Sequence, residues 1–169
     1  AQSMLRDLLK DALQTGCRED LSQTVLDALL AAKFLQVTRH VGIFLVDPED
    51  PEILVLYAHH ELSDPLVNQC TRISFGHCLC GQVALEGETL YVKADDPRLP
   101  DPPDGSERMD HLIVPVGIDG MQMGVMNFFL EEGVDPYLGD IDVLESVGEI
   151  VAIAMQRIFM QEDLADSTN

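Results

Sequence analysis

The chain has 169 residues, 46% hydrophobic and 24% charged, which suits one globular domain with its own core, or one domain with a helical extension, and excludes disorder throughout. Ten Lys and Arg against thirty Asp and Glu leave a formal net charge of −20, so direct partnership with nucleic acid or an anionic membrane surface is disfavoured. Apolar runs such as residues 123–130 are strand-length, far from the roughly 18 residues of a membrane span, so a soluble chain is expected. Cys17, Cys70, Cys78 and Cys80 form no regular framework, and the Ala-Gln-Ser start has no secretion-signal pattern, so free thiols and a cytoplasmic location are expected.

Leu5, Leu8, Leu9, Ala12 and Leu13 recur at the spacing of an amphipathic helix that runs from Met4 and ends at Gly16. A second helix follows, capped by Asp20 or Ser22, with Leu21, Val25, Leu26, Leu29 and Leu30 as its buried stripe to about Leu35. The period then changes. Residues 41–46 and 53–58 are apolar runs separated by a turn-forming segment at 47–51, which predicts a β-hairpin. Residues 59–74 are mixed and hold a short helical piece near Pro65, where proline suits a first turn. After Phe75-Gly76, residues 77–87 read as a short helix with a glycine start and stop. Residues 90–92 form a short strand. Residues 95–110 carry four prolines and a Gly-Ser pair, the composition of a lid or binding loop. Residues 111–116 and 122–130 flank the turn Gly117-Ile118-Asp119-Gly120 as a second hairpin, and Pro115 removes one ladder donor, as at a strand edge or bulge.

One long helix runs from Tyr137 to about Leu164. Tyr137, Ile141, Leu144, Val151, Ala154 and Ile158 lie on one face, and Val143, Ile150, Ile153, Met160 and Leu164 on another. One stripe serves a sheet; the second calls for another helix, from the chain's own N-terminus or from a partner subunit. The element order predicts an α+β fold, with one antiparallel β-sheet, helices packed on one face, and long N- and C-terminal helices.

These residues resemble a GAF domain, the small-molecule sensor module of signalling proteins. Val41-Gly42-Ile43-Phe44-Leu45-Val46-Asp47 resembles the first strand of that family, and Phe75-Gly76-His77-Cys78-Leu79-Cys80-Gly81-Gln82-Val83-Ala84 its glycine-bracketed central helix. Leu112-Ile113-Val114-Pro115-Val116 and Gly124-Val125-Met126-Asn127-Phe128 resemble its late strands, and the closing helix is similar too. The resemblance implies a sheet with helices on one face and a ligand pocket on the other under loops. It divides the chain into an N-terminal helix at 1–20 serving dimerisation or linkage, a sensor domain at 21–164 that includes a signalling helix, and a tail at 165–169. Family members bind cyclic nucleotides, bilins, haem, small anions or other metabolites, and some only dimerise. With no Cys-His dipeptide, no tryptophan and 5% aromatics, a bilin is disfavoured. A complete Asn-Lys…Phe…Asp-Glu signature of cyclic-nucleotide binders is missing as well.

The candidate ligand-binding residues are Ser74, Phe75, Gly76, His77, Cys78 and Cys80, where unpaired N–H groups at a helix start can hold a small anion or polar head. Arg98 and Arg108, with Arg72, are the cations nearest in sequence. His77, Cys78 and Cys80, with Cys70 upstream, are also soft donors suited to zinc, iron or haem. In a regular helix Cys78 and Cys80 stand about 200° apart and face one ion only if the turn unwinds, whereas His77 and Cys80 share a face. His59, His60 or His111 would have to converge from elsewhere. The competing role is plain packing, with Cys78 or Cys80 as small buried hydrophobes and Met121, Met123 and Met126 as core filling. Adjacent His77 and Cys78 point about 100° apart and make no nucleophile–base pair. With no P-loop, H-E-x-x-H or G-x-S-x-G motif, no enzymatic activity is expected.

The expected function is a regulatory sensor. A small ligand binds between the sheet, residues 74–81 and residues 95–110, and biases the terminal helices of a homodimer that drives an output domain. No cofactor is required. The alternatives are a ligand-free dimerisation scaffold, or a metal, haem or thiol redox sensor built on His77, Cys78 and Cys80.

Overall fold

The computed structural model describes residues 1–168, and the end of the expected tail, residue 169, lies outside the described residues. In chain order the elements are α1 (Gln2–Ala12), α2 (Arg18–Ala31), β1 (His40–Val46), β2 (Ile53–His60), α3 (Asp64–Gln69), β3 (Arg72–Ser74), α4 (Cys78–Glu86), β4 (Leu90–Val92), β5 (Asp110–Ile118), β6 (Met121–Leu130) and α5 (Leu138–Thr168). The strands form one antiparallel sheet in the order β3-β2-β1-β6-β5-β4. This is the expected α+β architecture, with α1, α2 and α5 gathered on one face and α4 on the other.

Strand alternation sets which side chains meet which layer. On the hairpin of β5 and β6, Leu112 pairs with Phe128 and Val114 with Met126, all fully buried beneath α5. Their neighbours His111, Ile113, Asn127 and Phe129 point to the α4 side. Because both faces are covered, β1 and β6 are apolar almost without interruption, as central strands buried on two sides must be. Helix α5 rests closely on β5. A Cβ at Gly148 would stand 2.3 Å from the Pro115 carbonyl oxygen, so only glycine allows this approach. Strand β4 stops pairing at Ile113, which leaves Pro115 on a stretch with one open edge, where its missing donor is tolerated.

The terminal helices are tied to one another by buried polar contacts. Arg18, 4% exposed, donates from Nε to the Val46 carbonyl (2.7 Å) and from Nη1 to Glu162 (2.6 Å), and its guanidinium lies 5.5 Å from the Phe159 ring centre. Arg157 donates to the carbonyls of Leu13 and Thr15, which fixes the end of α1 against α5.

Some boundaries differ from the periodicity reading for physical reasons. Helix α2 starts at Arg18 with Cys17 at its cap, so Asp20 sits inside the first turn, where with Glu19 it complements the helix dipole. Ser22 is buried with no partner for its hydroxyl. The three-residue strand β3 was not expected; it is too short to show a period and exists through its pairing with Ile53, Leu54 and Val55. In α5, Leu144, Ile150, Val151, Ala154 and Ile158 are buried, Ile141, Val143 and Ile153 half-buried, and Met160 and Leu164 exposed, while Tyr137, expected to open this helix, lies just before it and is exposed. At 31 residues, roughly 45 Å, the helix outruns the sheet it packs on. No helix among the described residues is long and apolar enough to cross a membrane.

Candidate functional site

A cavity of about 210 Å³ opens on the α4 face of the sheet. Its floor is a cross-strand square in which His111 opposes Phe129 and Ile113 opposes Asn127. The His111 and Phe129 rings meet at 4.5 Å with a tilt of 53°. Cys78, Leu79 and Cys80 of α4 form one wall, with Leu66 and Cys70 beside them, and residues 99–109 arch over the opening.

The entry to α4 is held by backbone bonds. His77 N–H donates to Ser74 O (3.1 Å), Gly76 N–H to Gly81 O (2.8 Å) and Gly81 N–H to His77 O (3.0 Å). A Cβ on Gly81 would lie 2.4 Å from Ser74 O, so the tight turn requires glycine there. Cys78 itself has φ +46°, a left-handed conformation that costs a side-chain-bearing residue roughly 1–2 kcal/mol. Cys80, two residues on, donates its S–H to the Cys78 sulfur, a contact that a regular helix, with residues two apart splayed by about 200°, would not make.

A directed chain of hydrogen bonds then runs across the floor. Asn127 Nδ2 donates to Cys80 Sγ (3.2 Å), which leaves Asn127 Oδ1 to accept from His111 Nδ1 (3.2 Å). Burial holds the His111 pKa down, so the ring is neutral and its Nδ1 carries the proton. The Cys80 S–H donation holds the Cys78 pKa down to about 6 against the opposing effect of partial burial, helped by the N–H groups of Gly81 and Cys80 and by His77. Cys80, fully buried, is pushed up because it keeps the proton of the pair and lies away from water. Burial raises Cys70 to about 11.

The charges around the opening are negative. Asp101, Asp104 and Glu107 line it, and hydrogen bonds from Ser106 keep Asp104 ionised, with its pKa lowered to about 2. The arginines do not line the cavity, although the Arg108 charge acts on His111 and its Nε is buried without a partner among the described residues. Arg98 pairs with Asp96 at 2.8 Å, Arg72 pairs with Asp47 at 2.7 Å, and Arg108 Nη2 donates to the carbonyls of Asp96 and Leu99, bracing the loop. Of the residues singled out from sequence, Cys70, Cys78 and Cys80 line the cavity. Ser74, Phe75, Gly76 and His77 build the turn beneath α4 and do not line it, nor do Arg98 and Arg108. His59 is exposed and His60 binds the Arg39 carbonyl at 2.7 Å, both away from the cavity, whereas His111 is on its floor. Met123 and Met126 are core. Among the described residues no three His, Cys, Asp or Glu side chains converge as a metal-holding group.

A family model for the GAF domain matches residues 18–156. The chain belongs to the GAF family. No curated protein matches it in sequence. Among solved structures it is similar to the GAF domain of a phosphoenolpyruvate-protein phosphotransferase from Coxiella burnetii (19% identity, TM-score 0.77, 96% of each chain covered). It is also similar to the free methionine-R-sulfoxide reductase of Neisseria meningitidis, solved with its substrate (22%, 0.70, 95% of this chain and 90% of that one). A third is the GAF domain of a two-component sensor histidine kinase from Bacillus halodurans (15%, 0.67, 88% and 99%). GAF domains are typically small-molecule sensors in signalling proteins, and at these identities the neighbours speak to the fold alone.

The residues of this GAF domain that sequence reasoning passed over are Ile113, Asn127 and Phe129 on the floor and Ile73 and Leu66 on the wall. The signal for the floor was present. Residues two apart on paired strands share a face, so placing His111 at the mouth of β5 places Ile113 beside it and Phe129 and Asn127 opposite.

Proposed function

We propose that this GAF domain is a regulatory sensor whose cavity takes a small neutral or cationic organic molecule with an apolar body. The observation that carries this reading is the lining itself. Apolar side chains from Leu66, Ile73, Leu79, Leu99, Met109 and Phe129 surround a few polar groups, the rim carries carboxylates, and no Lys or Arg lines it. The arginines expected to help hold an anion at the α4 start, Arg72, Arg98 and Arg108, do not line the cavity. Occupancy is read through β5, whose His111 and Ile113 face the cavity while Leu112 and Val114 face α5. A ligand that shifts this strand bears directly on the helix seated at Pro115. The helix would lead to an output domain in a cytoplasmic homodimer formed through the terminal helices.

The test is thermal denaturation of the chain with three probes that share one apolar body: leucinamide (cationic), leucine (zwitterionic) and N-acetylleucine (anionic). At a hundredfold excess over Kd a bound probe adds about 2.7 kcal/mol, or roughly 5–11 °C at the midpoint. Stabilisation by leucinamide above N-acetylleucine supports the reading; the reverse order defeats it. The second reading, a ligand-free dimerisation scaffold, is favoured by the exposed Met160 and Leu164 on α5, 71% and 67% exposed. Association that depends on protein concentration, with no probe raising the midpoint, would select it.

A further inference from the structure

Beyond ligand sensing, the cavity wall holds a thiol pair arranged for chemistry. Cys78 is solvent-accessible and Cys80 is buried, both line the cavity, and the Cys80 S–H donates to the Cys78 sulfur at a turn where Cys78 has a left-handed φ. Cys80 is in turn anchored by Asn127 and His111. Cys70 lines the same cavity, yet it reaches Cys78 only through its charge, with no hydrogen bond between them. Cys17 lies at the start of α2, away from the cavity.

We propose that Cys78 and Cys80 form a two-thiol peroxide switch, with Cys78 the attacking sulfur and Cys80 the resolving one. A hydroperoxide is the oxidant the cavity admits, being small and uncharged, whereas the carboxylates at the rim repel anionic oxidants. The Cys78 thiolate attacks the terminal oxygen of ROOH. An S–O bond forms, the O–O bond breaks, and the departing alkoxide takes a proton from water, so the peroxide is reduced and Cys78 becomes a sulfenic acid. The Cys80 thiol then attacks that sulfur. The S–S bond forms, the S–O bond breaks, and the Cys80 proton leaves with the hydroxyl as water. The sum is two thiols and one hydroperoxide giving one disulfide, one alcohol and one water.

The order of the two steps is built into the site. While Cys78 carries the negative charge, Cys80 is held protonated, chiefly by its hydrogen bond to that thiolate. Oxidation of Cys78 to a neutral sulfenic acid removes the charge that held the Cys80 proton in place. The Asn127 N–H, already aimed at Cys80 Sγ at 3.2 Å, then supports the developing thiolate. The disulfide consumes the hydrogen bond between the two sulfurs at the α4 start and so alters the wall of the cavity.

The test uses the full reduced chain, one equivalent of hydrogen peroxide, and mass analysis without reductant. Cleavage after Arg and Lys separates Cys70, in the peptide 40–72, from Cys78 and Cys80, which share the peptide 73–93. The expected result is a loss of two hydrogens within peptide 73–93, with peptide 40–72 unchanged. Cys78→Ser is expected to slow peroxide consumption by roughly tenfold. Cys80→Ala should still consume peroxide and stop at a sulfenic acid on Cys78 that a cyclic 1,3-dione traps. Cys70→Ala is expected to behave as the parent. A cross-link joining the two peptides, Cys78→Ser reacting as fast as the parent, or no disulfide in the parent would each overturn the proposal. Failure of every probe in the thermal assay leaves these outcomes unaffected, so the two readings fail separately.

Discussion

Gly81→Ala puts the close approach at α4 to a quantitative test. The added Cβ lies 2.4 Å from Ser74 O and 3.1 Å from Gly76 N, both backbone atoms that move only with the whole turn. Reaching ordinary contact requires roughly 1 Å of displacement. Such overpacking costs about 1–3 kcal/mol, and the better helix propensity of alanine returns about 0.8–1 kcal/mol. The net loss is about 0–2 kcal/mol, read as a midpoint lower by up to roughly 8 °C in thermal denaturation followed by circular dichroism. Gly148→Ala is the internal comparison, because its Cβ meets Pro115 O at 2.3 Å on the opposite face of the sheet. Both variants are expected to lose similar stability, but only Gly81→Ala disturbs the turn that feeds an N–H to Cys78, so only it raises the pKa of that thiol. A gain of stability in Gly81→Ala, or an equal change at Cys78 in Gly148→Ala, would refute the reasoning.

The remaining predictions follow from the thiols and the helix ties. Alkylation of Cys78 by iodoacetamide should rise with pH and reach half its plateau near pH 6, because the thiolate is the reactive form and prevails above its pKa. The groups that set this value are the Cys80 thiol, the N–H groups of Gly81 and Cys80 and His77, against partial burial, while Cys70, Asp101, Asp104, Glu107 and His111 share the cavity with it. Lower intrinsic nucleophilicity offsets much of the gain, so the advantage over an ordinary thiol is about fourfold at pH 7 and roughly thirtyfold near pH 5.5; a half-point near the ordinary thiol value would contradict the site geometry. Arg18→Met should cost about 1–3 kcal/mol in urea unfolding, because it leaves the Val46 carbonyl without its donor and releases Glu162; a loss under half a kcal/mol would show that the tie between α2 and α5 is incidental. If the chain dimerises through α5, Met160→Glu should weaken association at least tenfold in sedimentation equilibrium, while an unchanged dimer would place the interface elsewhere.

Much of the fold was legible because its elements have clear periods and punctuation. Residues 90–92 read as a strand between Gly87 and the proline-rich loop, and Pro65 marks the first turn of α3. What stayed hidden depends on partners distant in sequence. Strand β3 exists only through its pairing with β2, and Tyr137, expected on the buried face of the last helix, precedes α5 and is exposed. The site divides in the same way. Cys78 and Cys80 were visible in the glycine-bracketed segment, but their contact was not, since a regular helix separates residues two apart. The arginines near the loop were plausible cations by sequence distance. They are taken up by Asp96 and by loop carbonyls, which no local pattern reveals.

The most direct test of the sensor account is a titration of the isotope-labelled chain with leucinamide, followed by amide resonances. The account predicts saturable shifts at Ile73, Cys80, His111, Asn127 and Phe129, transmitted across β5 to residues near Gly148 on α5, and weaker or absent shifts with N-acetylleucine. Shifts confined to exposed acidic residues, or an equal response to the anionic probe, would contradict it.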